Sequence, residues 1–174
     1  MSTWNIDSVH STAEFTVRHM MISKVRGQFA GPAGTITFDA AKPSAASVEA
    51  SVDASTVDTK VTDRNNHLKG ADFFDVENYP SITFKSTAVE AVDATRAKVT
   101  GDLTIKDVTK SVVLDAEFYG VQSNPQSDHA GFYATTVINR EDFGLVWNMA
   151  LEAGGVLVSQ EVTLELSVQA VRQK

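Results

Sequence analysis

Val112-Val113-Leu114-Asp115-Ala116-Glu117-Phe118-Tyr119 decides the fold. Val112, Leu114, Ala116 and Phe118 alternate with Val113, Asp115, Glu117 and Tyr119. Successive side chains of a strand point to opposite faces, so this stretch has one apolar and one largely polar face. A strand buried on one side only is the habit of antiparallel sheets. The pattern repeats on both sides. Before it, Val99, Gly101, Leu103 and Ile105 share a face, and Lys106-Asp107-Val108-Thr109 turns the chain. Earlier still, Ile82 and Phe84 alternate with Thr83 and Lys85. Val89 to Val92 is weaker, and Asp93-Ala94-Thr95-Arg96 reads as a hairpin turn. After it, Ser123 to Gly131, with Asn124-Pro125, reads as a polar loop. Phe132, Ala134, Thr136 and Ile138 then alternate onward to Asn139-Arg140.

The two ends of the chain carry the same signal. Phe143-Gly144 marks a turn, Leu145 to Ala153 follows, and Gly154-Gly155 turns again. Val162, Leu164, Leu166 and Val168 then alternate with Thr163, Glu165, Ser167 and Gln169. Near the start, Trp4-Asn5-Ile6-Asp7 is a short alternation and His10-Ser11 a turn. Ala13, Phe15, Val17 and His19 form the inward set of the next strand. Gly27 and Gly31-Pro32 punctuate a piece around Phe29. Ile36 and Phe38 face inward in the following strand, and Val48, Ala50, Val52 and Ala54 in the one after. This makes about eight antiparallel strands in an all-β chain, with turn signals at intervals of about ten residues. A closed barrel of about eight strands has room for packed side chains or one small ligand. A two-sheet sandwich is the rival that periodicity does not separate from it. The 174 residues fit a single domain, 1–174, with no internal repeat.

One segment breaks the period. In Thr62 to Pro80, Thr62 or Asp63 is placed to cap a helix and Gly70 to end it, which predicts a short helix near residues 62–70. Val61, Arg64, Leu68 and Ala71 fall near one helical face. Asp72 is placed to cap a second turn bearing Phe73 and Phe74, and Pro80 closes the segment. A plug for a barrel end and a lid over an apolar cavity both fit this pattern.

The net charge of -7 disfavours a nucleic-acid partner, and the basic residues are scattered singly. Without cysteine there is no disulfide, thiolate metal site or cysteine nucleophile. No run approaches the roughly 18 apolar residues of a membrane span. Met1-Ser2-Thr3-Trp4-Asn5 has no basic and apolar leader pattern, so the expected place is the cytoplasm, or the periplasm or exterior if an upstream signal has been removed.

Candidate chemistry is sparse. His10, His19, His67 and His129 show no metal-ligand spacing, and no Gly-x-Ser-x-Gly elbow is present. No metal, catalytic group or cofactor is expected. His19 shares a face with Phe15 and Val17, which places it inward and largely buried, either as a core histidine or as an anchor for a ligand headgroup. Arg64 and His67 lie one helical turn apart and can meet an anionic group together, or form a solvated helix face. Arg140 reads as an ion-paired turn residue. Small inward residues (Ala13, Ala50, Ala54, Gly101, Ala116, Ala134) interleave with large ones, which fits either a tapering core or an unfilled axis.

Five blocks, in order, carry a resemblance: Trp4-x-Ile6-Asp7-x-x-His10-Ser11 with Phe15-x-Val17-x-His19; Gly27-x-Phe29 with Gly34-x-Ile36; Arg64-x-x-His67-Leu68, Asp72-Phe73-Phe74-Asp75 and Tyr79-Pro80-x-Ile82-x-Phe84; Gly101-Asp102-Leu103-Thr104-Ile105 with Thr109-Lys110; and Ile138-Asn139-Arg140-x-Asp142-Phe143-Gly144. Together they resemble the YceI-like family of polyisoprenoid-binding proteins over nearly the whole chain. The resemblance implies a lipocalin-like barrel with a long apolar tunnel. It implies a bound polyisoprenoid or isoprenoid quinone, often a homodimer, and no established catalysis. A tunnel lined by Phe15, Val17, Phe29, Ile36, Phe38, Phe84, Leu103, Ile105, Leu114, Phe118 and Ile138 matches such a tail. His19, Arg64 and His67 are placed for a polar head, and Phe73 and Phe74 for the lid. A fatty acid or fatty amide carrier, and an enzyme acting on a lipid or quinone, are the alternatives. The chain departs from the family at Asn65, commonly Asp, at Asp107, in a turn that commonly carries Gly, and in lacking an export signal where many relatives have one.

Overall fold

The computed structural model describes residues 1–152 and 154–174; Ala153, the end of the 145–153 stretch, lies outside the described residues. The strands are β1 (Ser2–Ile6), β2 (Thr12–His19), β3 (Ser23–Phe29), β4 (Ala33–Phe38), β5 (Ser47–Asp53), β6 (Ser81–Ala91), β7 (Arg96–Ile105), β8 (Val108–Ser123), β9 (Ser127–Asn139) and β10 (Glu161–Gln173), with helix α1 (Thr62–Lys69) between β5 and β6. Every pairing between them is antiparallel, and the order is β1-β4-β5-β6-β7-β8-β9-β10-β2-β3. β1 also pairs with β10, which closes eight strands into a barrel and leaves β2 and β3 as two extra strands. Continuous pairing round the ring rules out the two-sheet sandwich.

β10 explains how the two extra strands attach. One edge of it pairs with β9 along its whole length. The other edge is shared: Thr163 to Ser167 pair with β2, and Ala170 and Val171 pair with β1. β2 and the piece around Phe29 therefore leave the ring instead of joining it. Among the described residues the far edge of β3 is paired at one isolated bridge, between Gln28 and Asp58, whose backbones exchange hydrogen bonds of 2.9 and 2.8 Å. The segment carrying α1 stands on that side, where the ladder is interrupted.

Long strands must bend to stay on a barrel. β8 does so at an irregularity between Phe118 and Gly120, where Gly120 takes a φ of 105° that an L side chain rarely adopts. β6 shifts register between Ser86 and Ala88. The predicted 123–131 loop shrinks to three residues between β8 and β9, because the polar residues expected to sit in it find partners inside the sheet. Asp128 is buried; it accepts from Ser123 Oγ at 2.6 Å and pairs with Arg172 at 2.5 Å.

The core is split. One cluster, with Phe15, Leu103, Ile105, Ile138, Phe143 and Leu145, lies at the α1 end. The other, with Trp4, Ile6, Ile36, Ala130 and Ala170, lies toward the opposite end.

The Ser123 hydroxyl, then the Arg172 guanidinium, hold the Asp128 carboxyl down to about 2. Its contribution to stability is present above the ordinary aspartate range and is lost as pH falls from about 4 toward 2. Asp128→Asn should therefore lower the melting temperature at pH 7, and the gap between variant and parent should close over that acid window in a pH series of thermal melts.

Candidate functional site

The inward faces enclose a cavity of about 650 Å³, within the range of ligand sites. Its wall reaches from α1, which precedes β6, to the Asp93–Arg96 turn that follows β6. β6 has 11 residues, so the two ends are about 35 Å apart along the strand and roughly 27 Å apart along a barrel axis after tilt. The space is a tunnel that runs past both clusters of the core.

Every side chain expected in the tunnel lines it. Phe15 and Val17 come from β2, Phe29 from β3, Ile36 and Phe38 from β4, and Phe84 from β6. Leu103 and Ile105 come from β7, Leu114 and Phe118 from β8, and Ile138 from β9. His19, Arg64, His67, Phe73 and Phe74 line the end at α1. Alternation alone places the strand residues: once one face of each strand turns inward, all of its odd or even members do.

Two glycines keep the axis open. Phe15 pairs directly with Gly27, and a Cβ there would lie 2.1 Å from Phe15 Cζ. A Cβ on Gly101 would lie 2.3 Å from Phe84 Cζ. Both rings lie back over bare backbone, against the sheet, and do not reach across the interior. Of the two readings of the small residues, the unfilled axis is the one observed.

The α1 end differs in detail from expectation. Val61, not Thr62 or Asp63, is the N-cap, and no side chain caps the helix; extended Val61 accepts from the Asn65 N–H through its carbonyl at 2.9 Å. Gly70 ends the helix with an extended backbone. Val61 and Ala71 are exposed, while Arg64 and Leu68 are half-buried. The carboxylate of Asp72 does not cap a second turn; it bonds His67 Nε2 at 2.9 Å. The His67 ring stands edge-on to Trp147, centroids 4.7 Å apart, and to Phe73 at 5.0 Å. Phe73 also touches Trp147 at 5.6 Å, whereas Phe74 packs on Phe29 at 5.6 Å within the inner cluster. Phe73 is thus the rim residue and Phe74 the tunnel residue.

Arg64 lines the tunnel, but its guanidinium is engaged. Nε donates to Thr59 Oγ1 and Nη2 to the Thr59 carbonyl, both at 2.8 Å. Asn65 accepts from the Thr59 N–H and hydroxyl at 2.7 Å and donates to Asp58 Oδ1 at 3.0 Å. An aspartate in place of Asn65 would set a second carboxylate against Asp58. His19, expected to be largely buried, is half-exposed, because β2 ends there, with Ser23 of β3 on one side and a single bridge to Val158 on the other.

Among the described residues Arg140 has no ion-pair partner. It is 3% exposed, and its acceptors are backbone carbonyls: Ser159 from Nε at 2.8 Å, Leu145 from Nη1 at 2.5 Å and Val158 from Nη2 at 3.4 Å. The planar fork binds both ends of the 145–159 segment at once. Burial lowers its pKa, yet an arginine stays charged. A cation without a carboxylate partner among the described residues therefore stands in the tunnel wall. Sequence reasoning missed Arg140, Leu145, Trp147, Leu157 and Val158 as wall residues, since their segment has no strand period to mark an inward face. Among the described residues no cluster of three His, Asp or Glu is placed to hold a metal, and no helix is long and apolar enough to cross a membrane.

Arg140→Met should lower stability by about 2–4 kcal/mol, on the order of 10 °C in melting temperature, as three carbonyls lose a charged donor. Arg140→Lys should recover little, since one ammonium cannot match the fork. Thermal unfolding followed by tryptophan fluorescence checks both; full recovery in the lysine variant would show that charge alone matters.

Residues 4–170 match the family model described as a YceI-like domain. A "UPF0312 protein" of Staphylococcus aureus strain N315 is 39% identical over 171 residues, 97% of each chain. The crystal structure of a Campylobacter jejuni YCEI protein superposes with a TM-score of 0.76 at 32% identity, covering 90% of each chain. A structure described as a polyisoprenoid binding domain from Saccharophagus degradans superposes with a TM-score of 0.69 at 14% identity, over 96% of this chain and 97% of that one, a likeness of fold. With a barrel closed as the resemblance implied and a family match from the first strand to the last, the chain belongs to the YceI-like domain family.

Proposed function

We propose that the protein binds a long-chain isoprenoid-type lipid, a polyisoprenoid or an isoprenoid quinone, in the barrel tunnel and carries or sequesters it. The observation that carries this reading is the tunnel itself: about 650 Å³ walled by Phe, Leu, Ile, Val and Ala side chains along the barrel. Burying a methylene contributes about 0.8 kcal/mol, so a tail that places ten or more in such a wall gains roughly 8 kcal/mol before ordering costs. The fold-level likeness to a polyisoprenoid binding domain supports the same ligand class. His19, Arg64, His67 and Arg140 place polar groups at the α1 end, which suits a headgroup there, while Asp93 and Arg96 at the other end are paired with each other. The role of each lining residue as a ligand contact, and the homodimer that the resemblance implies, belong to this reading.

The reading invokes no catalytic step: His67 is bonded to Asp72, and among the described residues no hydroxyl bonds its ring. A fatty acid or fatty amide would fill the same wall, and chemical identification of the cargo separates the cases.

Mass spectrometry of an organic extract of the purified protein should show an isoprenoid chain at near-stoichiometric amount. A fatty acid or amide in its place would overturn the isoprenoid assignment, and an empty protein that takes up neither would overturn the carrier.

The lid gives a second test. Phe73→Ala should cost about 3 kcal/mol of stability, since the ring is 7% exposed at the rim. Phe74→Ala should cost less but shorten lipid residence, because that ring lines the tunnel. Melts without lipid and release rates with it read the two effects separately; equal destabilisation with unchanged release would make the segment a plug.

Gly101→Val tests the bore. Its side chain must displace the Phe84 ring into the tunnel, so the bound population should shift toward shorter chains, measured in the same extracts.

A further inference from the structure

The hairpin joining β2 to β3 carries an exposed apolar tip. Met20 is 45% exposed, Met21 50% and Ile22 82%. Met20 and Met21 also take φ values of 52° and 64°, the left-handed region in which glycine or asparagine would be unstrained. Two methionines are held there with half of their surface in water and backbone strain besides.

The strands behind the tip are basic. Arg18 lies directly opposite Lys24, and Arg26 opposite Thr16, so all three cations fall on the face opposite Phe15 and Val17, and Arg18 also borders the cavity. None is in an ion pair among the described residues. From Phe15 to Phe29 there is no carboxylate, in a chain whose net charge is -7; the acids on the same face are Glu14, just before this stretch, with Glu165 opposite it on β10, and exposed Glu161 at the start of β10. The segment packed against the tip adds one, exposed Glu152, together with exposed Met149. That segment touches the tip directly: the Met20 N–H donates to the Leu157 carbonyl at 2.8 Å, and the Leu157 N–H donates to the Met149 carbonyl at 2.9 Å.

The tip also borders the tunnel. His19, the residue before Met20, pairs with Val158, and His19, Leu157 and Val158 all line the cavity. An apolar point backed by a cationic face, next to an opening, has the layout of an element that enters an anionic lipid surface: side chains go below the headgroups while the cations stay level with them.

From these observations we infer that the Met20-Met21-Ile22 tip, with Arg18, Lys24 and Arg26, docks the protein on an anionic bilayer so that the α1 end of the tunnel faces the lipid. The purpose of docking rests on the lipid-carrier reading; the docking does not. A second copy of the chain is a poorer fit. Two such hairpins would bring three cations against three, and a tip of three side chains falls well short of the roughly 1,000 Å² that a stable interface needs.

The test is flotation of the full chain with phosphatidylcholine vesicles, with and without about 30% phosphatidylglycerol, at low and at high salt. The protein should float with the anionic vesicles and be released by salt. Lys24→Glu with Arg26→Glu should reduce partitioning by at least tenfold, since each cation near an anionic surface contributes roughly fivefold. Met21→Asn with Ile22→Ser, which suits the left-handed backbone, should reduce it as well while leaving the melting temperature unchanged. Failure of the parent to float, or flotation that neither pair of changes alters, overturns the inference. So does a result in which the changes shift the sedimentation of the protein alone and leave flotation as it was, for then the tip joins copies of the chain. The organic extract of the same preparation keeps the two readings apart: a lipid-loaded protein that ignores vesicles sinks the docking alone, and a docking protein that neither carries nor takes up lipid sinks the carrier alone.

Discussion

Two backbone pairings at the end of β10, Asn5 with Val171 and Ile6 with Ala170, close the sheet on itself. Without them β1 and β10 would be free edges, open to pairing with other chains. With them, every strand of the ring has a neighbour on both sides, and the apolar face of each strand is turned toward a common axis. The strand that makes this closure also holds β2 on the remainder of the same edge. One long strand thus serves two partners, and the place where it changes partner fixes where the ring ends and the β2–β3 extension begins.

What the ring encloses depends on side-chain bulk. Eight strands bring opposite walls close enough for large residues to fill the interior. Here the aromatic rings that would do so are accommodated sideways, Phe15 over Gly27 and Phe84 over Gly101. The core becomes two clusters, and members of both border the tunnel. That division explains how a chain of ordinary apolar content leaves many inward residues only half-buried.

Three polar side chains at the α1 end are restrained by protein. Thr59 holds Arg64, Asp72 holds His67, and three carbonyls hold Arg140. The last is the most consequential, since a buried charge must be compensated, and carbonyl dipoles do so only while the 145–159 segment stays in place. That segment, through Trp147, touches the helix and the Phe73 rim, and through Leu157 touches the β2–β3 tip. The mouth is therefore a set of coupled contacts, with one arginine at its base.

The all-β class, the antiparallel strands and the tunnel-facing side chains were legible in the sequence because period-two alternation depends only on which face of a strand meets the apolar interior. The position of α1 was legible for a related reason: its polar run breaks that alternation between two strands that keep it. Ring closure was not, since alternation is the same in a barrel and a sandwich, and only the β1–β10 pairing distinguishes them. Nor was the sharing of β10 between β1 and β2, which depends on contacts between the two ends of the chain. The polar partners had the same character. Asp72 chose His67 over a helix cap, Val61 capped by its backbone alone, and Arg140 found carbonyls where a turn arginine usually finds a carboxylate. Sequence alone determined which face of each strand is apolar, because that is a property of consecutive residues. The tertiary structure alone decided that those faces surround an open tunnel and not a filled core, because that rests on where two phenylalanine rings lie relative to glycines on neighbouring strands.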